Sequence, residues 1–384
     1  MKRLLYFTKI SPFPPIQGER IRALNILRIL DNFCRVDGFV TNKDSINFSK
    51  YYSEYGFKNT RFYKLEDSKP FYKEIPSCFK KDKNYINKML AKIQKHNYDL
   101  AMIDYGWLGH YINFFKKNDI DVVYDTHNFQ SLLVKQAIGN GILSSFYALL
   151  NYPFKYLHER LYFNKSDFLL SVSKRDISKY ENFIDEKKLV LLPNFVFLED
   201  YGVSKPLDDR DFYICMIGNF NIFQNRQGFL WFYNNVWSKV KKDLDFLLVG
   251  KGSKRFLNEF EYMKKDNIKA TGKVESVLDY VKNSIAVIVP LLHGSGTRFK
   301  ILEAFAMNTP VISTSKGAEG LETTHSKNIL ISDHAENFAK NIQMLAEKES
   351  YRYKLSRNAR ALLQKKYCAK ANAPILKKLV KGKL

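Results

Sequence analysis

Apolar residues in the first half of the chain occur in short runs, and stretches with apolar residues at helical spacing lie between several of them. After the first run, a turn rich in Pro and Gly, SPFPPIQGE, leads into the helical pattern RIRALNILRIL. This alternation predicts βαβ units and a parallel sheet, with functional residues at the carboxyl ends of the strands. The runs that predict buried strands are RLLYFT (3–8), CRVDGFVT (34–41), DLAMIDY (99–105), IDVVYDT (120–126) and DFLLSVS (167–173).

The alternation is interrupted near 193–210, where two prolines and a cluster of charged residues separate the periodic segments. It then resumes, which predicts a second α/β domain and a cleft between the domains, the usual place for a ligand. The strands predicted in this half are DFYICMIG (211–218), LDFLLVG (244–250), IKATG (268–272), IAVIVP (285–290) and PVIST (310–314).

Length agrees with this division, because 384 residues can form two domains of about 150–200 residues, each with its own core. We place an N-terminal domain at 1–200, a C-terminal domain at 201–365, and a basic helix at 366–384 that packs back toward the N-terminal domain. The four cysteines are far apart and form no CxxC or Cys/His cluster, which argues against a zinc site or a disulfide framework and favours a reducing cytoplasm.

The first residues, MKRLLYFTKISPFPP, contain an apolar run that is broken by Lys9 and is followed by no small-residue cleavage site. We therefore interpret the run as a first strand rather than a signal peptide. No stretch approaches the roughly 18–20 uninterrupted apolar residues of a transmembrane helix, so we expect no membrane span.

The formal net charge of +23 predicts attraction to an anionic partner, such as nucleic acid, phosphates or acidic lipid. Eleven Lys and Arg and no Asp or Glu lie between Tyr351 and Leu384, which is consistent with either a solvated helix face or a functional one. From about 50 to 95, Lys is interleaved with Tyr and Phe. This mixture suits a membrane interface and suits stacking on single-stranded nucleic acid equally well.

The most informative segment is 285–321, in which a buried strand, a loop with two glycines and a helix beginning near Arg298 follow one another. Small residues before a helix let backbone N–H groups approach an anion, and the helix field favours negative charge there. Arg298 and Lys300 oppose the helix dipole, so a bound anion would explain them; the alternative is a tight turn with exposed basic residues. Glu303 lies about one turn further, within an apolar run where a solvent-facing glutamate is common. The loop residues are His293, Gly294, Ser295, Gly296 and Thr297.

The string GTRFKILEAFAMNTPVISTSKGAEGL closely resembles the C-terminal signature of bacterial group 1 (family 4) glycosyltransferases. MIGNFNIFQNRQGFLWF, LLVGKGS and GKVESVLDYVKNS are similar to other parts of that family's C-terminal domain, and YDTHN, LLSVSKRD and LLPNF are similar to its N-terminal domain and hinge. The resemblance covers most of 120–365 and is weak between 40 and 95. It implies the α/β GT-B fold, with two Rossmann-like domains facing each other across a cleft.

The resemblance also assigns residues to the donor site. Glu303 matches the second glutamate of the family's E-x7-E motif, which hydrogen-bonds the donor ribose, while Arg298 and Lys300 match positions that face the diphosphate. Ser295 stands where the first glutamate of that motif would fall, so the backbone amides of Gly294, Ser295, Gly296 and Thr297 are expected to hold the sugar instead. Gly218, Lys273 and Val274 are assigned to donor binding on the same basis.

In the N-terminal half, His127 matches a histidine that contacts the donor sugar or the acceptor, although a lone histidine is more often structural. Gly18 matches a glycine loop that approaches the donor phosphates or the acceptor, with an ordinary turn glycine as the alternative. Glu159 recurs in a similar place in the family, and we interpret it as bracing a helix rather than as catalytic.

The resemblance implies a retaining, metal-independent transfer of a hexose from a nucleotide diphosphate sugar, with UDP-sugars favoured, to a saccharide or lipid-linked saccharide in bacterial cell-surface polysaccharide synthesis. The nucleotide sugar is a co-substrate, and no cofactor or metal is expected; the acids of Asp208, Asp209 and Asp211 lie in the linker and are interpreted as solvated. We expect a cytoplasmic protein bound peripherally to the anionic inner face of the membrane, without a nucleic-acid partner. The alternatives are a GT-B nucleotide-sugar epimerase or hydrolase and a basic nucleic-acid-binding protein.

Overall fold

The computed structural model divides the chain into two compact units, Met1–Asn194 with Asn372–Leu384, and Phe195–Ala371. We call them unit 1 and unit 2. The structure describes residues 1–40, 47–65, 83–104, 106–128, 131, 142–202, 210–240, 243–260, 263, 267–294 and 296–382.

Unit 1 is built on a seven-stranded parallel sheet with the strand order β3-β2-β1-β4-β5-β6-β7. Both faces of the central strands are buried, as a parallel sheet covered by helices requires. Its strands are β1 (Lys2–Thr8), β2 (Cys34–Val40), β3 (Thr60–Lys64), β4 (Leu100–Asp104), β5 (Asp121–Thr126), β6 (Phe168–Ser171) and β7 (Leu189–Leu191). Its helices before the linker are α1 (Gly18–Leu30), α2 (Phe48–Tyr55), α3 (Lys83–Lys95), α4 (Ile112–Lys116), α5 (Ile142–Tyr162) and α6 (Lys174–Tyr180).

Unit 2 contains a six-stranded parallel sheet with the order β10-β9-β8-β11-β12-β13. Phe229, Phe232, Phe246 and Ile288 lie in its hydrophobic core. The strands are β8 (Tyr213–Ile217), β9 (Asp245–Val249), β10 (Ile268–Gly272), β11 (Ala286–Val289), β12 (Val311–Ser313) and β13 (Leu330–Ile331). The helices are α7 (Phe223–Asn235), α8 (Ser253–Asn258), α9 (Leu278–Asn283), α10 (Phe299–Ala306), α11 (Ala335–Glu347) and α12 (Glu349–Lys366). A last helix, α13 (Ala369–Val380), begins in unit 2, and the residues from Asn372 onward belong to unit 1.

The predicted α/β class is confirmed, and in both units the strand order reverses beside the first strand of the unit, between β1 and β4 and between β8 and β11. Ligands of open α/β sheets bind at the carboxyl ends of strands next to such a reversal. The apolar run at the start of the chain forms β1, the predicted strand.

The Lys- and aromatic-rich segment is largely structural where it is described. Phe62 and Tyr85 are buried, and Tyr51 stacks on buried Phe13 with ring centroids 4.4 Å apart. The hydroxyl oxygen of Tyr52 accepts a hydrogen bond from the backbone N–H of Phe62 at 2.7 Å. The part of this segment from 66 to 82 lies outside the described residues. The rings that are described therefore stabilise the fold more than they form an exposed surface.

No helix within the described ranges is both long enough and apolar enough to cross a bilayer.

Candidate functional site

The loop before α10 has a backbone that requires glycine. Gly294 and Gly296 have φ values of +120° and +75°, in the left-handed region that other residues rarely adopt. A Cβ atom on Gly294 would also lie 2.5 Å from Nη2 of Arg298. Gly294, Gly296 and Thr297 are buried, whereas Ser295 lies outside the described residues. The loop therefore brings its backbone close to the Arg298 guanidinium.

Arg298 is the N-cap residue of α10, with extended backbone angles and no side-chain capping hydrogen bond. The first N–H groups of a helix have no acceptor within the helix, so this end is suited to an anion. The Arg298 side chain is partly buried, and burial lowers its pKa to about 10, so it is still charged at neutral pH.

Lys300 reaches from the first turn of α10 to the end of β8. Its Nζ donates hydrogen bonds to the carbonyl oxygen of Ile217 at 2.7 Å and to Oδ1 of Asn225 at 3.1 Å. Asn225 in turn donates to the carbonyl of Asn219 at 2.8 Å, which fixes the amide orientation. An ammonium group has three N–H donors, so one donor of Lys300 remains after these two hydrogen bonds to described residues. Burial, followed by the charge of Arg298, lowers the pKa of Lys300 to about 8, although Glu303 opposes the shift.

Glu303 lies one turn further along α10 and is partly buried. Burial raises the pKa of its carboxyl group to about 7, and the nearby charge of Lys300 opposes the shift. No side-chain or backbone donor among the described residues forms a hydrogen bond with this carboxylate. Such a group gains most from a ligand that donates hydroxyl protons to it.

Closely packed glycines form the carboxyl edge beside Lys300. The N–H of Gly218 donates to the carbonyl of Val249 at 3.0 Å, and a Cβ atom on Gly250 would lie 2.2 Å from the carbonyl oxygen of Gly218. Lys273 is exposed and Val274 half-buried, directly after β10 ends at Gly272. Gly218, Lys273 and Val274 thus all lie at or just beyond the carboxyl ends of neighbouring strands.

Two arginines stabilise the opposite end of α10. Arg210 donates to the carbonyl oxygen of Met307 at 2.9 Å and to Oγ1 of Thr309 at 2.7 Å, and Arg360 donates to the carbonyl of Ala306. Cations at a helix C-terminus are favourable, because the helix dipole is negative there. The pair fixes the helix that carries the site at its N-terminus. Arg210 is buried although its position in the charged linker suggests a solvated residue, whereas Asp211 is exposed as expected and 208–209 lie outside the described residues.

In unit 1, three parallel strands place polar residues side by side. Thr8 pairs with Asp104 at the ends of β1 and β4, and Asp104 pairs with Asp125 near the end of β5. His127 follows β5 directly, and its Nε2 lies 2.5 Å from Oδ1 of Asp104 and 3.6 Å from Oδ2 of Asp125. Thr8 donates its hydroxyl proton to the other Asp104 oxygen at 2.9 Å. The order reversal between β1 and β4 therefore holds a buried histidine–carboxylate pair.

Arg22 of α1 completes this network. Its guanidinium donates to both oxygens of Asp125, at 2.6 Å from Nη2 and 2.9 Å from Nε, and Nη1 donates to the carbonyl of Leu192 at 2.9 Å. Arg22 and Asp125 are fully buried. Burial alone lowers the pKa of His127, but the charges of Asp104 and Asp125 outweigh it, and the net pKa is raised. The protonated form of the imidazole is thus favoured.

The same residues could serve as metal ligands, since one ligand atom from each of Asp104, Asp125 and His127 lies within 4.8 Å of the others. Both oxygens of Asp125 already accept hydrogen bonds from Arg22. A metal ion bound here would have to compete with that guanidinium, so the residues fit an internal ion-pair network better than a cation site.

The remaining positions predicted in unit 1 have simpler surroundings. Gly18 is the first residue of α1 and is partly buried, and Arg20, two residues later, donates to the carbonyl of Phe13 at 2.8 Å. Glu159 of α5 is buried and accepts hydrogen bonds from the hydroxyl and the N–H of Ser131, at 2.6 and 3.2 Å. These hydrogen bonds to Ser131 agree with the interpretation of Glu159 as a residue that braces the helix.

Comparison with known proteins shows which family is similar to the unit that contains Arg298, Lys300 and Glu303. Residues 211–348 match the sequence model of the family described as Glycosyl transferases group 1. This part of the chain, which forms most of unit 2, is thus similar to a group 1 glycosyltransferase domain. The resemblance recognised in the C-terminal motif is confirmed, and the matched range includes every residue of the α10 site.

A relative of similar length comes from Klebsiella pneumoniae. It is named "Uncharacterized 44.6 kDa protein in cps region" and is 25% identical over 394 residues, which cover 96% of this chain and 97% of the relative. The similarity to this protein of a cps region thus extends beyond 211–348 over nearly the whole chain.

Solved structures show the fold of the whole chain. Anabaena Alr3699/HepE, in complex with UDP and glucose, has a TM-score of 0.71 at 12% identity, with 99% of this chain and 100% of that chain covered. Sucrose-phosphate synthase from Thermosynechococcus elongatus has a TM-score of 0.75 at 15% identity, with 100% and 99% covered. The lipopolysaccharide outer core galactosyltransferase WaaB has a TM-score of 0.66 at 13% identity, with full coverage of both chains. The predicted GT-B fold is confirmed.

Sequence reasoning missed several partners of the predicted residues. Asp104 and Asp125 are each the last residue but one of the predicted strands DLAMIDY and IDVVYDT, and acidic residues near two strand ends were the signal that could have identified them. Asn225 and Arg210 left no such signal, because they contact Lys300 and the end of α10 from positions 75 and 97 residues away.

Proposed function

We propose that this protein is a retaining glycosyltransferase that moves a hexose from a UDP-sugar to a saccharide acceptor during cell-surface polysaccharide synthesis. The observation that carries the proposal is the α10 site, where a glycine loop, a helix N-terminus, two cations and Glu303 lie together inside the group 1 domain. The cps-region relative supports the pathway, and the UDP complex of Anabaena Alr3699/HepE supports the choice of nucleotide.

The chemistry is stabilisation of a leaving diphosphate. As the bond between the sugar C1 and the phosphate oxygen breaks, negative charge grows on the diphosphate, and Arg298, Lys300 and the N-terminus of α10 oppose that charge. The acceptor oxygen forms its bond to C1 on the same face, and its proton passes to the departing phosphate oxygen. Since the protein supplies the positive charge, no metal ion and no protein nucleophile are required in this proposal.

The other residues bind and orient the donor. Glu303 accepts hydrogen bonds from the ribose hydroxyls, which favours its ionised form against the effect of burial. Backbone N–H groups of the loop from Gly294 to Thr297 hold the sugar, and Gly218 admits the nucleotide close to the end of β8. Lys273 and Val274 contact the base.

In unit 1, Gly18 and His127 contribute to binding of the acceptor or of the donor sugar. Asp104 fixes the His127 ring through Nε2 and raises its pKa, which favours the protonated imidazole, and Arg22 holds Asp125 in place beside it. A protonated imidazole at a strand end suits a sugar hydroxyl or a phosphate oxygen. We further propose that the enzyme works in the cytoplasm at the anionic inner face of the membrane, on a lipid-linked acceptor.

A screen of UDP-sugars by thermal shift tests donor binding, because a ligand that binds only the native state raises Tm. The selected donor is then incubated with and without saccharide acceptors in the presence of a chelator, and the anomeric configuration of the product is read by NMR. Retention of configuration with undiminished activity supports the proposal. Conversion of the donor without an acceptor would instead favour an epimerase or hydrolase, and inversion or loss of activity with the chelator would contradict the stated mechanism.

A further inference from the structure

Helix α5 of unit 1 presents apolar side chains to solvent. Phe146 is 63% exposed, Leu149 60% and Leu157 47%. Half of the large apolar side chains that the described residues expose, seven of fourteen, lie on this single helix. The exposed set, which we call the α5 stripe, consists of Phe146, Leu149, Leu150, Phe154, Tyr156, Leu157 and Leu161.

Where the side chains of α5 are described, the buried positions of the helix carry polar residues instead. Asn151, His158 and Glu159 are buried, and Glu159 is held by Ser131. An ordinary surface helix has the reverse arrangement, with its apolar side toward the core. Scattered exposed apolar residues need no explanation, but a contiguous patch of this kind marks an interaction surface.

The spacing of the stripe is that of one continuous helix face. Leu150, Phe154, Leu157 and Leu161 follow one another at intervals of three or four residues, and Phe146 precedes them by four. From Phe146 to Leu161 the helix rises by about 22 Å, at about 1.5 Å per residue. This length suits a helix that lies in the plane of a bilayer surface with its apolar side in the acyl boundary.

The charged residues around the α5 stripe indicate what kind of partner binds to it. Arg160 and Lys165 are exposed at its C-terminal end, and Lys155 is half-buried beside it. The one carboxylate of the helix, Glu159, is buried away from the stripe. A second copy of a chain with a net charge of +23 would bring further positive charge to this face, whereas anionic lipid headgroups would neutralise it.

We infer that the α5 stripe is a membrane-docking surface, which inserts into the headgroup and acyl boundary of an anionic bilayer while Arg160 and Lys165 contact lipid phosphates. This inference rests on the proposed function, because docking would bring the enzyme to a lipid-linked acceptor. It differs from the sequence-based expectation in its location, since the rings described in 50–95 pack largely against one another.

Flotation of the full chain with vesicles of phosphatidylglycerol and phosphatidylethanolamine tests the inference. The double variant Leu149→Ser/Leu157→Ser is compared with Phe212→Ser/Tyr353→Ser, which changes two exposed apolar residues of unit 2. We expect the stripe variant to lose membrane binding about tenfold or more and the control to stay within about twofold of the unmodified chain. Because all four residues are exposed, we expect both variants to keep the Tm of the unmodified chain.

A second pair of variants tests the charge. Arg160→Glu/Lys165→Glu should reduce binding to anionic vesicles more than Lys377→Glu/Lys378→Glu in the basic tail, with the same change in net charge. The inference is overturned if the unmodified chain does not float, if the stripe variant binds like its control, or if the stripe variant only converts a dimer to a monomer in light scattering. UDP-sugar binding is measured in the same samples: its absence in a chain that floats would contradict the proposed function and leave the docking surface intact.

Discussion

The carboxyl edges of the two sheets carry buried charge in two different ways. In unit 1, Asp104, Asp125, Arg22 and His127 satisfy one another at short distances. In unit 2, the hydrogen bonds that Lys300 makes to described residues go to neutral oxygens, and burial shifts the pKa values of Lys300 and Glu303 toward each other, to about 8 and about 7. The first arrangement is a closed network that fixes a histidine, and the second is suited to charge brought by a ligand.

The contrast teaches how a donor site can be distinguished from structural charge. A paired buried ion is satisfied without a ligand, so removing one member leaves an uncompensated charge. A cation desolvated beside a helix N-terminus gains its partner when an anion binds. The following variants separate the two cases.

The largest effect on stability is expected from Arg22→Met. Removing one partner of a buried ion pair leaves Asp125 charged and buried, which costs about 3–5 kcal/mol. Urea unfolding measures the loss, with Arg20→Met as the neighbouring control, for which we expect at most about 1.5 kcal/mol because it removes one ordinary hydrogen bond. If the two variants were equally stable, unit 1 would not contain the closed network described above.

Glu303→Ala should weaken donor binding without destabilising the protein. The carboxylate is proposed to accept hydrogen bonds from ribose, and hydrogen bonds to a charged group contribute about 1.5–3 kcal/mol, so the Kd for the UDP-sugar should rise roughly 10- to 150-fold. Isothermal titration measures the change. An unchanged Kd in a folded variant would remove Glu303 from the donor site.

Asp104→Asn should act through His127. Loss of the carboxylate that raises the pKa of His127 should lower this pKa, and kcat should fall roughly tenfold if the hydrogen bond contributes about 1.5 kcal/mol. The pH profile of kcat and NMR titration of the ring provide two readouts that a purely structural role would not move together. A lower kcat with an unmoved ring titration would make Asp104 a structural residue only.

The smallest effect is the pH dependence of donor affinity. Below a pH of about 7 Glu303 takes up a proton and loses its acceptor role, and above about 8 Lys300 loses the charge that attracts the diphosphate. The Kd should therefore be lowest between these values and rise on both sides. In Glu303→Gln the rise on the acidic side should disappear, and a flat profile in the unmodified chain would contradict the assignment of both residues.

Much of the fold could be predicted from the sequence, because the central strands are apolar runs buried on both faces. The three strands that pattern reading did not identify have less signal. β3 reads TRFYK and carries charge at an edge of the sheet, whereas β7 and β13 contain only three and two residues. Periodicity detects buried central strands better than short or edge strands.

The site residues were predicted where a local motif exists and missed where the contact is distant. Arg298, Lys300 and Glu303 lie within one turn and a half of a single helix, so a short string identifies them together. The partner of His127 lies 23 residues away on another strand, and only the register of β1, β4 and β5 brings Asp104 beside it. The outward direction of the apolar face of α5 was likewise inaccessible, because a helical pattern defines a face without saying what covers it.

The central claim is that α10 stabilises the leaving diphosphate, and the kinetics of Arg298→Ala test it most directly. kcat and the donor KM are measured beside Tm, with Lys300→Ala in parallel. We expect kcat to fall by about 2–4 kcal/mol of barrier, roughly 30- to 800-fold, at an unchanged Tm, and a smaller loss for Lys300→Ala because an ammonium lacks the bidentate guanidinium. A folded Arg298→Ala enzyme with normal kcat and KM would contradict the account.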